Sequence, residues 1–428
     1  MSLEEQFYSA CATGNVEEVE QLLLNKQINI NWQDSSMKYL LNDKRVEVNE
    51  GTNEGCATPF YIACGLGYTE IVKLLLNDER VDINRTDSGG ETPFYSACLK
   101  GHTEVVKLLL NDERIDVNQV EKYGETPFYI ACLKGFSEIM ELLLSDQRVD
   151  GGKETQLQAL FDHSCFYGYT EVTKLLLNDK RVDPNQSNEY DLMPFYMACG
   201  SGYIETVKLL LNDKRIDVNQ TNNFSGYAPF SIACWSGYID VVKLLLNDER
   251  VDINKPSNHG GQTPFNIACD WGRIEVVKLL LNDSRVDLNQ VDKTGKTPFF
   301  RACLSGRIEI VKLLLNDETV DINKTHIILG ETPLYIACAK GHIEIVKYIL
   351  ASERDIKFPG QGNKKFIDFA RERIKEGIKE AKELKDEDKY QKRFKNYLKI
   401  LEFLKQFERT PDETRKQFLE GKKILSYI

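Results

Sequence analysis

Histidine and tryptophan are scarce in this chain, with 5 and 3 copies in 428 residues. The five His, at 102, 163, 259, 326 and 342, are scattered and form no ligand motif. None of the 11 cysteines belongs to a Cys-x-x-Cys, which removes the common zinc and thiol-redox patterns. No apolar run reaches the roughly 18 residues a membrane-spanning helix needs, so membrane insertion is not expected. The start, Met1-Ser2-Leu3-Glu4-Glu5, is acidic and lacks a signal-peptide pattern. Gly65-Leu66-Gly67 and Gly200-Ser201-Gly202 resemble pieces of phosphate loops, yet neither a third Gly nor Gly-Lys-Ser/Thr follows. The run Asp82-Ile83-Asn84-Arg85-Thr86-Asp87 lacks the spacing of a calcium loop. No nucleophile and base can be paired by spacing. Neither catalysis nor a cofactor nor a metal is expected.

Positive charge is also short. The net charge is −11, and it is unevenly spread. Residues 351–428 hold 21 Lys+Arg against 15 Asp+Glu, which leaves 34 against 51 for the rest. So acidic a body argues against a nucleic-acid partner, because phosphate backbones need Lys and Arg. The basic C-terminal stretch is either a solvated helical surface or a contact for an acidic partner.

What the chain does have is repetition. Lys-Leu-Leu-Leu-Asn-Asp begins at Lys73, Lys107, Lys174, Lys208, Lys243, Lys278 and Lys312, and a near copy with Ser145 begins at Glu141. The spacing stays between 33 and 35 residues, the signature of one small unit stacked many times. Residues 91–118 serve as the type unit. Thr92 before Pro93 starts a helix: the hydroxyl caps free amides, and Pro at the first position loses no hydrogen bond. Phe94, Ala97 and Cys98 share one face, and Gly101 ends the helix. Val105, Val106, Leu108, Leu109 and Leu110 then give a second helix a broad apolar side. A polar stretch with Asn and Gly leads to the next Thr-Pro.

Gly124-Glu125-Thr126-Pro127-Phe128-Tyr129-Ile130-Ala131-Cys132, together with the Gly-His and Asp-Val-Asn elements of the unit, resembles the ankyrin repeat. Residues 330–338 and 295–303 match it equally well. Phe usually replaces the family's Leu, Tyr often replaces its His, and Cys replaces its second Ala. The resemblance covers nearly the whole chain and implies an all-α repeat solenoid, an ankyrin array of helix-turn-helix units with β-hairpin-like fingers. It also implies protein partners, held on the concave face of finger tips and first helices.

Ten cysteines (11, 64, 98, 132, 165, 199, 234, 269, 303 and 338) fall at one place in the unit, five residues after the Pro position. A small buried residue belongs there, and a free Cys packs as one. Free thiols in turn imply a reducing compartment, so a cytoplasmic location is expected, with nuclear or cytoskeleton-associated variants of it. Cys56 alone is off the pattern. The sequons beginning at Asn84, Asn185 and Asn219 coincide with the terminal Asn of the repeat and need no glycan to explain them.

Residues 1–31 read as an N-terminal capping repeat, acidic at Glu4, Glu5, Glu17, Glu18 and Glu20. Residues 32–57 read as a truncated irregular repeat with a short helix near 35–42, behind Asp34. Ankyrin repeats follow over 58–357, with a degenerate unit at about 151–185. There Leu160 takes the Pro position, Gly151-Gly152 replace an apolar-Asn pair, and Asp162-His163-Ser164 break the first-helix pattern. Losing both cap and propensity is expected to weaken that helix. Residues 358–428 read as a helical C-terminal cap, and a coiled coil is the weaker reading. One long helix should run over 366–385, and the next should turn Tyr397, Leu398, Ile400, Leu401, Phe403, Leu404 and Phe407 inward. Thr410-Pro411-Asp412-Glu413 is a capping box.

With architecture shared by all units, function should lie where they differ. The residue three after the Pro position changes most: Ile62, Ser96, Ile130, His163, Met197, Ile232, Ile267, Arg301 and Ile336. The fingers carry Tyr123, Tyr190, Phe224, Tyr227, His259, Ile327 and Ile328, apolar or aromatic groups in places that usually face water. Trp235 and Trp271 end the first helices of adjacent repeats and form the best single patch. Two functions fit. One is a non-catalytic scaffold or adaptor that binds one or more proteins on the concave face. The other is a structural subunit of a larger cytoskeletal or ciliary, microtubule-associated assembly.

Overall fold

The computed structural model describes residues 9, 12–15, 48–49, 56–327, 330–352, 354–356, 368, 371 and 387–425. The capping repeat, the helix near 35–42 and the helix over 366–385 therefore lie largely or wholly outside the described residues. The chain forms two compact units, 1–186 and 187–428. Among the described residues every regular element is a helix. The first unit holds α1 Pro59–Leu66, α2 Thr69–Leu76, α3 Pro93–Lys100, α4 Thr103–Leu110, α5 Pro127–Leu133, α6 Ser137–Ser145, α7 Glu154–Tyr167 and α8 Thr170–Leu177. The second holds α9 Pro194–Ser201, α10 Ile204–Asn212, α11 Pro229–Ser236, α12 Ile239–Leu246, α13 Pro264–Trp271, α14 Ile274–Leu281, α15 Pro298–Leu304, α16 Ile308–Leu315, α17 Pro333–Lys340, α18 Ile343–Ala351, α19 Glu387–Arg409 and α20 Pro411–Leu425. Within each unit first helices pack on first helices and second on second, giving an all-α repeat solenoid.

The Thr-Pro starts behave as their chemistry requires. Thr92 Oγ1 accepts the Tyr95 amide at 3.0 Å, and Thr58, Thr126, Thr263, Thr297 and Thr332 cap their helices likewise. Gly101 stops α3 in the left-handed region, φ 80°, where a Cβ would stand 2.7 Å from the Phe136 ring. The first helices from α1 to α15 each bury a Phe, from Phe60 to Phe299, and α17 buries Leu334 instead. Most second helices bury an apolar pair and a Leu such as Val105, Val106 and Leu109, with Thr173 and Thr206 entering the pair in α8 and α10. Fully burying such side chains contributes roughly 1.5–3 kcal/mol apiece. The in-register cysteines from Cys64 to Cys338 are all buried free thiols, and Cys56 is exposed; Cys11 lies outside the described residues.

Successive repeats are tied by a polar ladder as well as by the core. Asn84 donates from Nδ2 to the Arg114 carbonyl (2.7 Å) and accepts the Asp116 amide (2.9 Å). Asn118 does the same to Arg148 and Asp150, and Asn254 to Arg285 and Asp287. Arg114 holds Asp112 through both nitrogens of its fork and reaches the Leu76 carbonyl one repeat back (2.9 Å).

The degenerate unit is built differently from the regular ones. The break at Asp162-His163-Ser164 does not shorten the helix: α7 runs for 14 residues, beginning well before the Pro position. Residues 153–160 (Lys-Glu-Thr-Gln-Leu-Gln-Ala-Leu) contain good helix formers and no Pro, so the segment that elsewhere makes a finger coils instead. Gln156 Oε1 accepts the Lys153 amide at 3.2 Å and closes the new N-terminus. Gln158 replaces the missing ladder Asn, its Oε1 accepting the Asp183 amide at 3.0 Å while its Nε2 donates to Asp162 (3.1 Å).

At the C-terminal end α19 and α20 cover α18. Tyr397 donates to the Ala339 carbonyl (3.0 Å), Tyr348 meets Phe418 edge-on, and Arg415 donates to the Leu350 carbonyl (2.9 Å). Of the inward set expected for α19, Leu398 is instead 50 % exposed, because the buried row 397, 400, 404 and 407 turns it to the rim. Helix α20 starts at Pro411 as expected. Thr410 Oγ1 lies 3.4 Å from both the Gln406 carbonyl and Thr414 Oγ1, so its hydroxyl serves the junction with α19.

Candidate partner-binding surface

Each finger is a tight turn closed on its own first residue. Asp87 Oδ1 accepts the amides of Gly89 (2.8 Å) and Glu91 (2.9 Å), and Glu121 and Asn188 repeat the device. A tyrosine two residues after the Pro position ties the first helix to the next finger: Tyr61 donates to Glu91 (2.7 Å) and Tyr95 to Glu125 (3.1 Å). Burial, with the neighbouring Glu adding to it, raises both phenols above their ordinary range. Tyrosine thus makes a repeat-to-finger link at the place where the resemblance has His.

The turn between the two helices also faces inward on its neighbour. His102 Nε2 lies 3.0 Å from the Gly65 carbonyl, and His342 Nε2 lies 3.2 Å from that of Leu304. Arg273 and Arg307 donate from Nε to the carbonyls of Trp235 (2.7 Å) and Asp270 (2.8 Å) at the same place. These groups hold the stack.

The residues three after the Pro position are not open to a partner. Ser96, Ile130, Met197, Ile267 and Ile336 are buried, and Ile62, His163, Ile232 and Arg301 are half-buried. A residue there meets the preceding first helix, as Ser96 does at Gly65, Ile232 at Gly200, His163 at the Leu133 carbonyl and Arg301 at Asp270, so its variation is repacking between repeats. The finger residues divide. Tyr123 (79 %), Tyr190 (71 %), Phe224 (88 %) and Ile327 (71 %) are exposed. Ile327 also leans on the previous finger, where a Cβ on Gly295 would collide with it. Tyr227 is half-buried and donates to Gln262 Oε1 (3.2 Å), and the His259 ring meets the Asn223 carbonyl. Ile328 lies outside the described residues.

Trp235 and Trp271 come together. Their rings meet edge to face with centroids 5.3 Å apart, and Trp271 remains 47 % exposed. Beside them runs a polar chain that sequence reading missed. Gln262 donates to Asp270 (3.4 Å), Arg301 bridges Asp270 (3.3 Å) and Asp292, and Ser305 donates to Asp270. Burial works against the charge on Asp292, yet Thr294, the Lys296 amide and Arg301 together hold its carboxyl below its ordinary value. Arg301 stands where Ile is usual, and Asp270 where Gly or Leu is; those two substitutions were the available signal. The result is an aromatic pair flanked by fixed charges across three repeats of the second unit, a combination suited to binding a protein surface.

Among the described residues no group of three His, Cys, Asp or Glu comes together to hold a metal ion. No described helix is long and apolar enough to cross a membrane. A family model described as ankyrin repeats (3 copies) matches residues 31–121, 70–158, 113–188, 160–257, 195–292, 249–326 and 284–360. No curated protein matches the chain.

Proposed function

Because the chain belongs to the ankyrin repeat family, whose members are generally protein–protein interaction modules and typically non-catalytic, we propose that it is a scaffold or adaptor. Its partner is a protein captured on the side of fingers and first helices. The single observation that carries this reading is the Trp235–Trp271 pair, two large rings held edge to face beside the Asp270–Arg301–Asp292 chain. Interfaces concentrate their energy in aromatic anchors of this kind, ringed by polar groups that fix register. Phe224, Tyr190 and Ile327 are further anchors at the finger tips of the same unit, and Tyr123 is one in the first. The basic stretch 351–428 offers a contact to an acidic partner. Buried free thiols in every described repeat favour a reducing, cytoplasmic setting.

The test is the double change Trp235→Ala and Trp271→Ala, read by pull-down with mass spectrometry beside circular dichroism and melting. Loss of captured proteins with the fold intact supports the reading. Capture of every partner at unchanged levels refutes the role of this pair.

A further inference from the structure

Three pairs of neighbouring fingers are joined by a backbone bond at the same place. The carbonyl just before the left-handed Gly accepts an amide of the following finger: Lys122 donates to Gly89 (3.1 Å), Lys293 to Gly260 (3.0 Å) and Ile327 to Thr294 (3.2 Å). In the finger of Tyr123 the same carbonyl is that of Tyr123, before Gly124 at φ 85°. No described residue donates to it, because the segment that would form the following finger has become the start of α7. A Cβ on Gly124 would meet nothing within 4 Å, whereas one on Gly90 would lie 3.2 Å from the Lys122 amide. The helical extension removes a second partner too. Gln158 stands where Glu91 and Glu125 stand in regular units, but its amide is turned to Asp162 and Asp183. The Tyr129 hydroxyl, equivalent to those of Tyr61 and Tyr95, consequently bonds no described residue.

The two vacancies adjoin. Tyr123, Gly124, Glu125, Tyr129, Thr155, Gln156 and Ala159 line one notch of about 260 Å³. Its lining offers the Tyr123 carbonyl, the Glu125 carboxylate and two phenols, beside the mixed donors and acceptors of Thr155 and Gln156; the single charge in it is negative, which favours a cationic donor. The Tyr123 ring already takes a cation, with Lys122 Nζ 4.8 Å from its centroid. The body outside 351–428 carries 51 acidic against 34 basic residues, which favours a basic visitor.

We propose that this notch binds an extended, arginine-bearing segment of a partner protein. The segment donates a backbone amide to the Tyr123 carbonyl, as the missing finger would have done, and completes the row by strand addition. Its guanidinium lies against the Tyr123 and Tyr129 rings and donates to Glu125, a pairing that suits its planar fork better than an ammonium. The site is separate from the Trp235–Trp271 pair and does not depend on it.

The test uses the full chain and fluorescein-labelled pentapeptides Gly-Val-Xaa-Val-Gly with central Arg, Lys, Glu or Phe, followed by anisotropy. The Arg peptide should bind saturably, and the Glu peptide about tenfold more weakly or not at all. Tyr123→Ala, Glu125→Gln, and N-methylation of the amide of the central Arg should each weaken the Arg peptide about fivefold or more. Tyr123 is exposed, and the side-chain amide that Glu125→Gln introduces keeps an acceptor for Tyr95, so both variants should keep the wild-type melt. Trp235→Ala with Trp271→Ala should leave the peptide affinity unchanged, even where it abolishes capture of other partners. The proposal is overturned if the Arg peptide shows no saturable binding, if Glu and Phe peptides bind as well, or if Tyr123→Ala and Glu125→Gln leave its affinity intact.

Discussion

The unit at 91–118 and the degenerate unit at 151–185 solve the same stacking problem with different parts. In the first, Thr92-Pro93 starts the helix, a finger precedes it, and Asn118 links the following turn. In the second there is no Thr-Pro and no finger, yet Phe161, Cys165 and Leu176 are buried in register, and Gln158 makes the inter-turn bond that Asn makes elsewhere. Stacking needs the apolar faces and one ladder bond per repeat. It does not need the finger. A finger can therefore be deleted without ending the array, and its deletion leaves a gap whose edges are unsatisfied polar groups.

Several changes sharpen that contrast. The largest effect should come from the regular core: Leu109→Ala, at a fully buried site, should cost roughly 2–5 kcal/mol in a denaturant melt. A loss below about 1 kcal/mol would mean the repeats are not packed as described. Next comes the substitute ladder. Gln158→Ala removes both bonds of the bridge and should cost about 1–3 kcal/mol, as Asn118→Ala should in the regular unit; a neutral Gln158→Ala would break the equivalence of the two.

Asp162 supplies a pH test found only in the degenerate unit. Burial pushes its carboxyl up to about 7, against a lowering by the Gln158 amide. The folded state therefore holds a proton that the unfolded state releases near pH 4, and stability contributed by this group falls as pH rises from about 4 to about 7. Asp162→Asn should flatten that decline, gaining on the parent at pH 8 and not at pH 4; parallel curves would contradict it. The smallest effect is kinetic. Burial raises the repeat thiols, Cys338 up to about 12, so Cys56 should react first with a bulky thiol reagent while the others stay protected until unfolding.

Much of this was legible in the chain. The 34-residue rhythm, Thr-Pro and in-register Cys specify helix starts, the buried face and the stack, because each is a local rule repeated until it becomes unambiguous. The surface was less so. The residue three after the Pro position varies because it packs between first helices, and variation alone cannot separate repacking from recognition. Tyr227 resembles an exposed tip but occupies the Glu position before the Pro, where side chains bond a neighbouring repeat. The conversion of 154–159 to helix was readable from its composition, but the two glycines before it drew attention to weakness and away from a longer helix. That Tyr123 and Tyr129 share a notch follows only from where the missing finger would have stood.

The most direct measurement restores that finger. Replacing residues 151–160 with the segment Val117 to Pro127 supplies Asn, a finger and Thr-Pro in one graft. The account predicts that the grafted chain folds with a melting temperature equal to or above the parent's and no longer binds the Arg pentapeptide. Undiminished peptide binding by a folded graft, or collapse of the array on regaining a regular repeat, would contradict it.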